Sequence, residues 1–258
     1  MLKTTQSTLD NRTETMSVTR IRDIQELNRL ERDKKRPMCH HNDRVYGDCV
    51  CPNFAMDGST IHETNLLTNC GKTLTNWGGS TAGHQRSRKY QGVIGTRPFT
   101  RPGKFYFEVD IKFTIYRRLR DKLLFEIGIA RREETERNHT VSKSKYGWVV
   151  CASTCSLCRT ICLQTLHNRK VKRHKPLIQS SDPSNSCLAK VGIFIDTRAQ
   201  QMLVIDAKQK SLFYRFKNVD YSQPLWPVFG TYNSGCASVE LTTRTARDIW
   251  VPSIYFKE

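Results

Sequence analysis

Residues 95–113 read GTRPFTRPGKFYFEVDIKF, and this stretch decides the fold. Phe105, Phe107, Val109, Ile111 and Phe113 alternate with Lys104, Tyr106, Glu108, Asp110 and Lys112. Alternation sends successive side chains to opposite faces, so a half-buried antiparallel strand is expected, apolar on one face and mostly polar on the other. Glu108 and Asp110 would then lie together on the exposed face. Arg101-Pro102-Gly103 precedes the strand and suits a type II turn, because proline presets the first corner and glycine accepts positive φ at the second.

Working outward, similar short runs recur on both sides. Upstream, residues 64–67 and 72–77 read as strands, followed by a polar loop from Gly78 to about Lys89. Downstream, residues 122–132 (KLLFEIGIARR) place Phe125, Ile127 and Ile129 on one face, with Gly128 and Ala130 on the other beside Glu126. Residues 133–145 read as a charged loop, and 146–151 (YGWVVC) as a strand carrying Trp148. Residues 152–188 are the least regular part. Strands resume at 190–196, 201–207, 212–216, 225–232 and 237–242. Short strands spaced by roughly 8–12 residues point to an all-β chain folded as an antiparallel two-sheet sandwich.

The flanks differ. Residues 1–20 show no periodicity and are expected to be disordered. Ile21, Ile24, Leu27 and Leu30 recur every three residues, and Pro37 stops the pattern, so a short N-terminal helix is expected over 21–36. Residues 37–52 read as a linker and 53–243 as the domain. The tail, 244–258, carries DIWVPSIYF, too aromatic for a free end, and is expected to pack on the domain.

The chain has 258 residues, 42 Lys and Arg against 24 Asp and Glu, and a formal net charge of +18. Nothing at the N-terminus resembles a signal peptide, and no run approaches the ~20 apolar residues of a membrane span. A cytoplasmic protein, with the nucleus as a second location, is therefore expected, with reduced thiols and no membrane association. From residue 137 to 181 there are nine basic residues and no acidic one. Such a segment attracts polyanions.

Two groups of soft donors have the chemistry of metal ligands. Cys39, His40, His41, Cys49 and Cys51 lack both C-x2-C and H-x3-H spacing. Cys151, Cys155, Cys158 and Cys162 follow C-x3-C-x2-C-x3-C, whereas structural zinc sites usually join two short pairs from separate knuckles. Both groups read as thiols, so no metal and no cofactor is expected. Neither G-x-S-x-G nor H-E-x-x-H is present, and a non-catalytic protein is expected.

In order, these blocks resemble a PRY-SPRY domain, the recognition module at the C-terminus of tripartite-motif proteins and butyrophilins. Residues 95–99 and 103–109 resemble its "LG…F…G.HYWEVEV" block, with Phe107 where tryptophan is usual. Residues 125–131 resemble "W.LGVAR", 147–150 "GYWVV", 190–196 "RVGVFLDYE", 202–206 "VSFYN" and 224–229 "PLRPFF". Phe54 to Asp57, with Asn65, Leu66, Leu67 and Lys72, resemble the PRY segment. The resemblance implies a concanavalin-like jelly roll that recognises a protein or peptide through loops at one end, as an adaptor or immune-type sensor. No RING or B-box pattern lies upstream, so ligase activity does not carry over. The segment after Trp148 is longer, more basic and richer in cysteine than is usual in the family.

Carried over by position, the implied partner-binding residues are Cys151, Ser153, Tyr232 and Asn233, with Trp77 and Arg131 bordering them. The alternative is nucleic-acid or other polyanion binding through His167, Arg169, Lys170, Lys172, Arg173 and Lys175. That run lacks interleaved aromatics for base stacking.

Overall fold

The computed structural model describes residues 43–76, 89–100, 102–119, 122–178 and 184–249. The expected disordered tail, the helix over 21–36, Cys39, His40, His41, Trp77, Arg101 and residues 250–258 lie outside them. In chain order the strands are β1 (Arg44–Tyr46), β2 (Cys49–Cys51), β3 (Asn65–Thr68), β4 (Thr73–Asn76), β5 (Gly92–Ile94), β6 (Lys104–Ile115), β7 (Leu123–Ala130), β8 (Gly147–Cys155), β9 (Thr160–His167), β10 (Lys170–Pro176), β11 (Ser186–Asp196), β12 (Gln201–Asp206), β13 (Ser211–Lys217), β14 (Trp226–Thr231) and β15 (Ala237–Arg244). A six-residue helix, α1 (Arg132–Arg137), and a 3-10 turn, Val141–Lys143, replace part of the charged loop expected over 133–145. Among the described residues no helix is long and apolar enough to cross a membrane.

The strands form two sheets. One is ordered β13-β12-β11-β6-β15-β4-β3 with the β1–β2 hairpin attached, the other β10-β9-β8-β7-β14-β5. Described strand pairs are antiparallel except for the short contact of β2 with β6. β6 is central: it pairs along its whole length with β11, and from Glu108 to Ile115 with β15. Its inward residues, Phe105, Phe107, Val109, Ile111, Phe113 and Ile115, are all buried between the sheets. They face Phe125, Ile127, Ile129, Trp148 and Val150 of the other sheet. Phe107 meets Phe54 edge-on at 5.3 Å, and Phe99 and Phe229 at 6.2 and 6.3 Å. Three phenylalanines thus surround the position where the family usually carries tryptophan.

The outer face of β6 departs from the half-buried expectation. Tyr106 is buried and Glu108 is only 8% exposed. The reason is tertiary: residues 44–51, expected within a linker, fold as the β1–β2 hairpin and cover this face. Cys49, Cys51, Tyr106, Phe194, Leu203, Ile205 and Ile249 form a second apolar cluster there. Ile249 brings the start of the tail onto the sheet, as Tyr46 donates its hydroxyl to the Ile249 carbonyl at 2.8 Å. The Tyr106 ring lies across Gly192, where an added Cβ would sit 2.4 Å from its hydroxyl oxygen. That hydroxyl donates to Glu108 Oε1 at 2.9 Å, so Glu108 is an interior acceptor rather than a solvated charge. The entry to β6 also differs from the type II reading: Gly103 is not among the positive-φ glycines. Its N–H instead donates to Thr197 Oγ1 at 2.8 Å, and its carbonyl accepts from Thr197 N–H at 3.1 Å.

Four of the six connections that change sheets lie at one end of the sandwich: β4 to β5, β6 to β7, β10 to β11 and β14 to β15. We call this the crossover end. The opposite end holds the β5–β6 and β13–β14 connections, the β9–β10 turn and the segment carrying α1.

Candidate functional site

The crossover end is stitched by backbone bonds between its loops. Tyr116 and Arg117 N–H both donate to the Cys236 carbonyl, at 2.8 and 3.0 Å, and Ser184 N–H donates to Ile115 O at 2.7 Å. Thr154 N–H donates to Lys122 O, and Tyr232 N–H to Leu124 O, each at 2.8 Å. Side chains finish the frame. Buried Asn76 donates to the carbonyls of Tyr232 (2.8 Å) and Ala237 (3.0 Å) and accepts Val239 N–H at 2.7 Å. Asn233, held at φ +59°, donates to Leu123 O at 2.7 Å. A rigid frame of this kind holds loop side chains outward for recognition.

Two large apolar side chains stand out from it. Leu157, at the β8–β9 turn, is 80% exposed, and Tyr116, just after β6, is 57% exposed. Arg117, Arg118, Lys122 and Arg159 are exposed in the same loops. Among the described residues of these loops there is no carboxylate. This end therefore exposes apolar and cationic side chains together. The opposite end also has a cleft, of about 210 Å³, lined by Phe54, Phe99 and Phe105 and rimmed by the Arg97–Asp43 ion pair at 2.8 Å.

The partner-binding residues read from the sequence do not form one surface. Asn233 lies at the crossover end and is partly exposed. Tyr232 lies there too, but only 1% of it is exposed. Its hydroxyl donates to Glu126 Oε1 at 2.7 Å, which makes it an internal strut. Cys151 is also buried, opposite Glu126 across the β7–β8 ladder, and burial first, then the Glu126 charge, hold its thiol well above the usual range. Ser153 is buried on the same face of β8. Arg131 sits at the far end of β7, so it cannot border Asn233. Its guanidinium bonds Asp220 at 2.7 Å and Ser222 Oγ at 3.2 Å and stacks 3.6 Å above the Tyr146 ring. Ring stacking and an ion pair at 11% side-chain exposure make it a staple of the opposite end.

Glu126 is the buried charge that organises the crossover side of β7. Oε1 accepts Val141 N–H at 2.9 Å and Oε2 accepts Ser142 N–H at 3.0 Å, in addition to the Tyr232 hydroxyl. Burial pushes its carboxyl above the ordinary range, and these bonds act against that shift. Gly230 leaves room for the strut, since a Cβ there would meet the Tyr232 oxygen at 2.7 Å.

The basic run is regular where irregularity was expected: it is the β9–β10 hairpin, with Asn168 and Arg169 at positive φ in the turn. β10 is an edge strand. His167 is taken inward, stacked on Trp148 at 4.9 Å with Nδ1 3.0 Å from Gly147 O. Arg173 and Lys175 lie over the Phe213 ring, and Lys175 bonds Asp206 at 2.5 Å. Arg169, Lys170 and Lys172 remain exposed. The four cysteines of this segment divide into two sets. Sγ atoms of Cys155, Cys158 and Cys162 lie within 4.8 Å of one another, while Cys151 stands apart in the Glu126 region.

The two-sheet frame, its central β6 and its gathered crossover loops match a known family. The SPRY domain family model covers residues 104–244. The chain belongs to the SPRY domain family. Among solved structures it resembles the TRIM65 PSpry domain, with a TM-score of 0.52 and 17% identity, over 75% of this chain and 91% of that one. It also resembles stonustoxin, with a TM-score of 0.50 and 16% identity, over 75% of this chain but 27% of the toxin chain. At these identities the likeness is one of fold, and the first match supports a PRY-SPRY arrangement. No curated protein matches the chain.

SPRY domains are generally non-catalytic protein-interaction modules. Within this one, sequence reasoning missed Tyr116, Leu157, Asn76 and Glu126. Leu157 carried a signal: a lone leucine between two cysteines, in a segment with no acidic residue, has nothing to pair with in sequence. Asn76 and Glu126 carried none, because their importance lies in groups 106 to 163 residues away for their bonds to Tyr232 and Val239.

Proposed function

We propose that this SPRY domain captures a partner protein through its crossover end, binding an acidic segment that presents an apolar side chain. The observation that carries the reading is the exposure of Leu157 and Tyr116 among Arg117, Arg118 and Arg159 on a hydrogen-bonded frame. Leu157 and Tyr116 supply the desolvated contact, and the arginines steer the encounter and select sign. An adaptor or sensor role for the whole protein is a further part of this proposal, and rests on family analogy.

The test is affinity capture followed by measured binding of the captured partner. Tyr116→Ala with Leu157→Ala should weaken binding by about 30-fold or more, the effect of losing an interface anchor. Arg117→Glu with Arg118→Glu should lower the association rate and its salt dependence. Arg131→Ala should bind like the parent chain. Equal capture by all four proteins would sink the assignment of this end.

A second reading follows from the basic edge. Lys170 and Lys172 on β10, with Lys208, Lys210, Arg215 and Lys217 exposed on the β12–β13 turn and β13, border one side of the sandwich. If this edge binds nucleic acid, affinity should fall linearly with log salt, and Lys170→Glu with Lys172→Glu should reduce the slope by about 2. A flat salt dependence excludes it.

A further inference from the structure

The β8–β9 turn brings together three thiols that the protein-recognition reading does not use. Ser153 lies opposite Cys162 and Cys155 opposite Thr160, so Cys155 and Cys162 are diagonal neighbours on one face of the hairpin. Cys158 folds over them from the turn. All three Sγ atoms lie within 4.8 Å of one another. Cys155 and Cys162 are buried, and Cys158 is partly exposed. The run from Cys151 to Cys162 lacks the two separate short pairs of a usual zinc site, and the hairpin shows why three of its thiols still meet: a turn reverses the chain between them.

The turn itself is shaped for a cation. Arg159 N–H donates to the Cys155 carbonyl at 2.8 Å and closes the turn. Arg159 follows the second cysteine at φ +54°, in the left-handed region. A C-x2-C turn closed by a left-handed residue returns the chain so that Cys158 meets the two hairpin thiols. Adjacent thiolates repel one another, and a bound cation offsets that repulsion. Tetrahedral zinc places its sulfurs about 3.8 Å apart, given Zn–S bonds of about 2.3 Å. Separations within 4.8 Å need a closure of at most about 1 Å, and Cys158, on the turn, is positioned to supply it.

We propose that Cys155, Cys158 and Cys162 form a binding site for one zinc-class cation, with three thiolates from the chain and a fourth position open on the Cys158 side. Binding releases the remaining thiol protons to solvent and pins the turn that carries Leu157. The cation site does not depend on the protein-recognition reading. Its loss would leave the crossover-end assignment standing.

The test uses the full chain, reduced and stripped with chelator, then titrated with Co2+ as the spectroscopic stand-in. Thiolate-to-cobalt charge-transfer bands and tetrahedral visible bands should saturate at one equivalent and be displaced by Zn2+. Cys155→Ser, Cys158→Ser and Cys162→Ser should each remove or strongly weaken them, whereas Cys70→Ser and Cys236→Ser should not. A footprint on the parent chain avoids dependence on variants that fail to fold: Zn2+ should protect Cys155, Cys158 and Cys162 together from alkylation. No bands at equimolar cobalt, bands that survive all three substitutions, or protection mapping to Cys49 and Cys51 would each overturn the proposal.

Discussion

The two ends of the sandwich are closed by the same strands but finished by different chemistry. The opposite end is locked by ion pairs: Arg131 to Asp220, Lys104 to Asp48, Arg97 to Asp43 and Lys72 to Asp248, all between 2.6 and 2.8 Å. The crossover end is locked by backbone amides and by buried Asn76 and Glu126, which leaves its arginines pointing outward. Charges used for internal pairing cannot also select a partner. Holding the loops largely through backbone groups leaves the arginines, Leu157 and Tyr116 of the crossover end exposed. The lesson is that the two ends differ in how their frames are held as much as in what they expose.

This contrast can be broken by substitution. The largest effect should come from the core shared by both ends. Phe107→Ala removes a ring that touches Phe54, Phe99 and Phe229 and should cost about 3–5 kcal/mol in chemical denaturation. A loss below about 2 kcal/mol would mean that the neighbouring rings collapse into the gap.

Next comes the buried carboxylate. Glu126→Gln keeps the size but turns an amide NH2 toward Val141 or Ser142 N–H, at a cost of about 1–3 kcal/mol. Its pH dependence is the sharper readout. The folded carboxyl is raised above 4.5 by burial, so the folded state holds its proton to higher pH than the unfolded chain. That contribution is present in full below the unfolded value and is lost as pH rises through the folded one. The stability gap between parent and Glu126→Gln should therefore narrow as pH rises from about 4.5. A gap that widens would show that the charged form is the stabilising one.

Arg131→Ala should destabilise by about 1–2 kcal/mol through loss of the Tyr146 stack and the Asp220 pair, with partner binding intact. Leu157→Ala should be the mildest in stability, within about 0.5 kcal/mol, because the side chain is already in water. If Leu157→Ala destabilises as much as Arg131→Ala, the two ends are not divided as described.

Much of the scaffold was legible because alternation is a local property. The inward set of β6 and the strands containing Phe125, Trp148, Ile193 and Val204 follow from period two alone. The second apolar cluster was not, because Cys49, Tyr106 and Ile249 meet only after distant segments cross one face of the sheet. At the site, position along the strands puts Asn233 at the crossover end, but it does not reveal that Cys151 and Tyr232 are buried, because burial is not encoded in a strand-end position. Arg131 failed for a geometric reason: eight residues of β7 carry it to the other end.

By itself the sequence determined that this chain is a β-sandwich, because alternating side chains must bury one face of each strand. It also determined the family, through the order of its strand blocks. Tertiary structure alone decided which residues are available. Pairing direction sorts the loops into two ends, and buried amides and carboxylates fix those loops. Reversal at residues 156–159 then sets Leu157 outward and brings Cys155, Cys158 and Cys162 together beneath it.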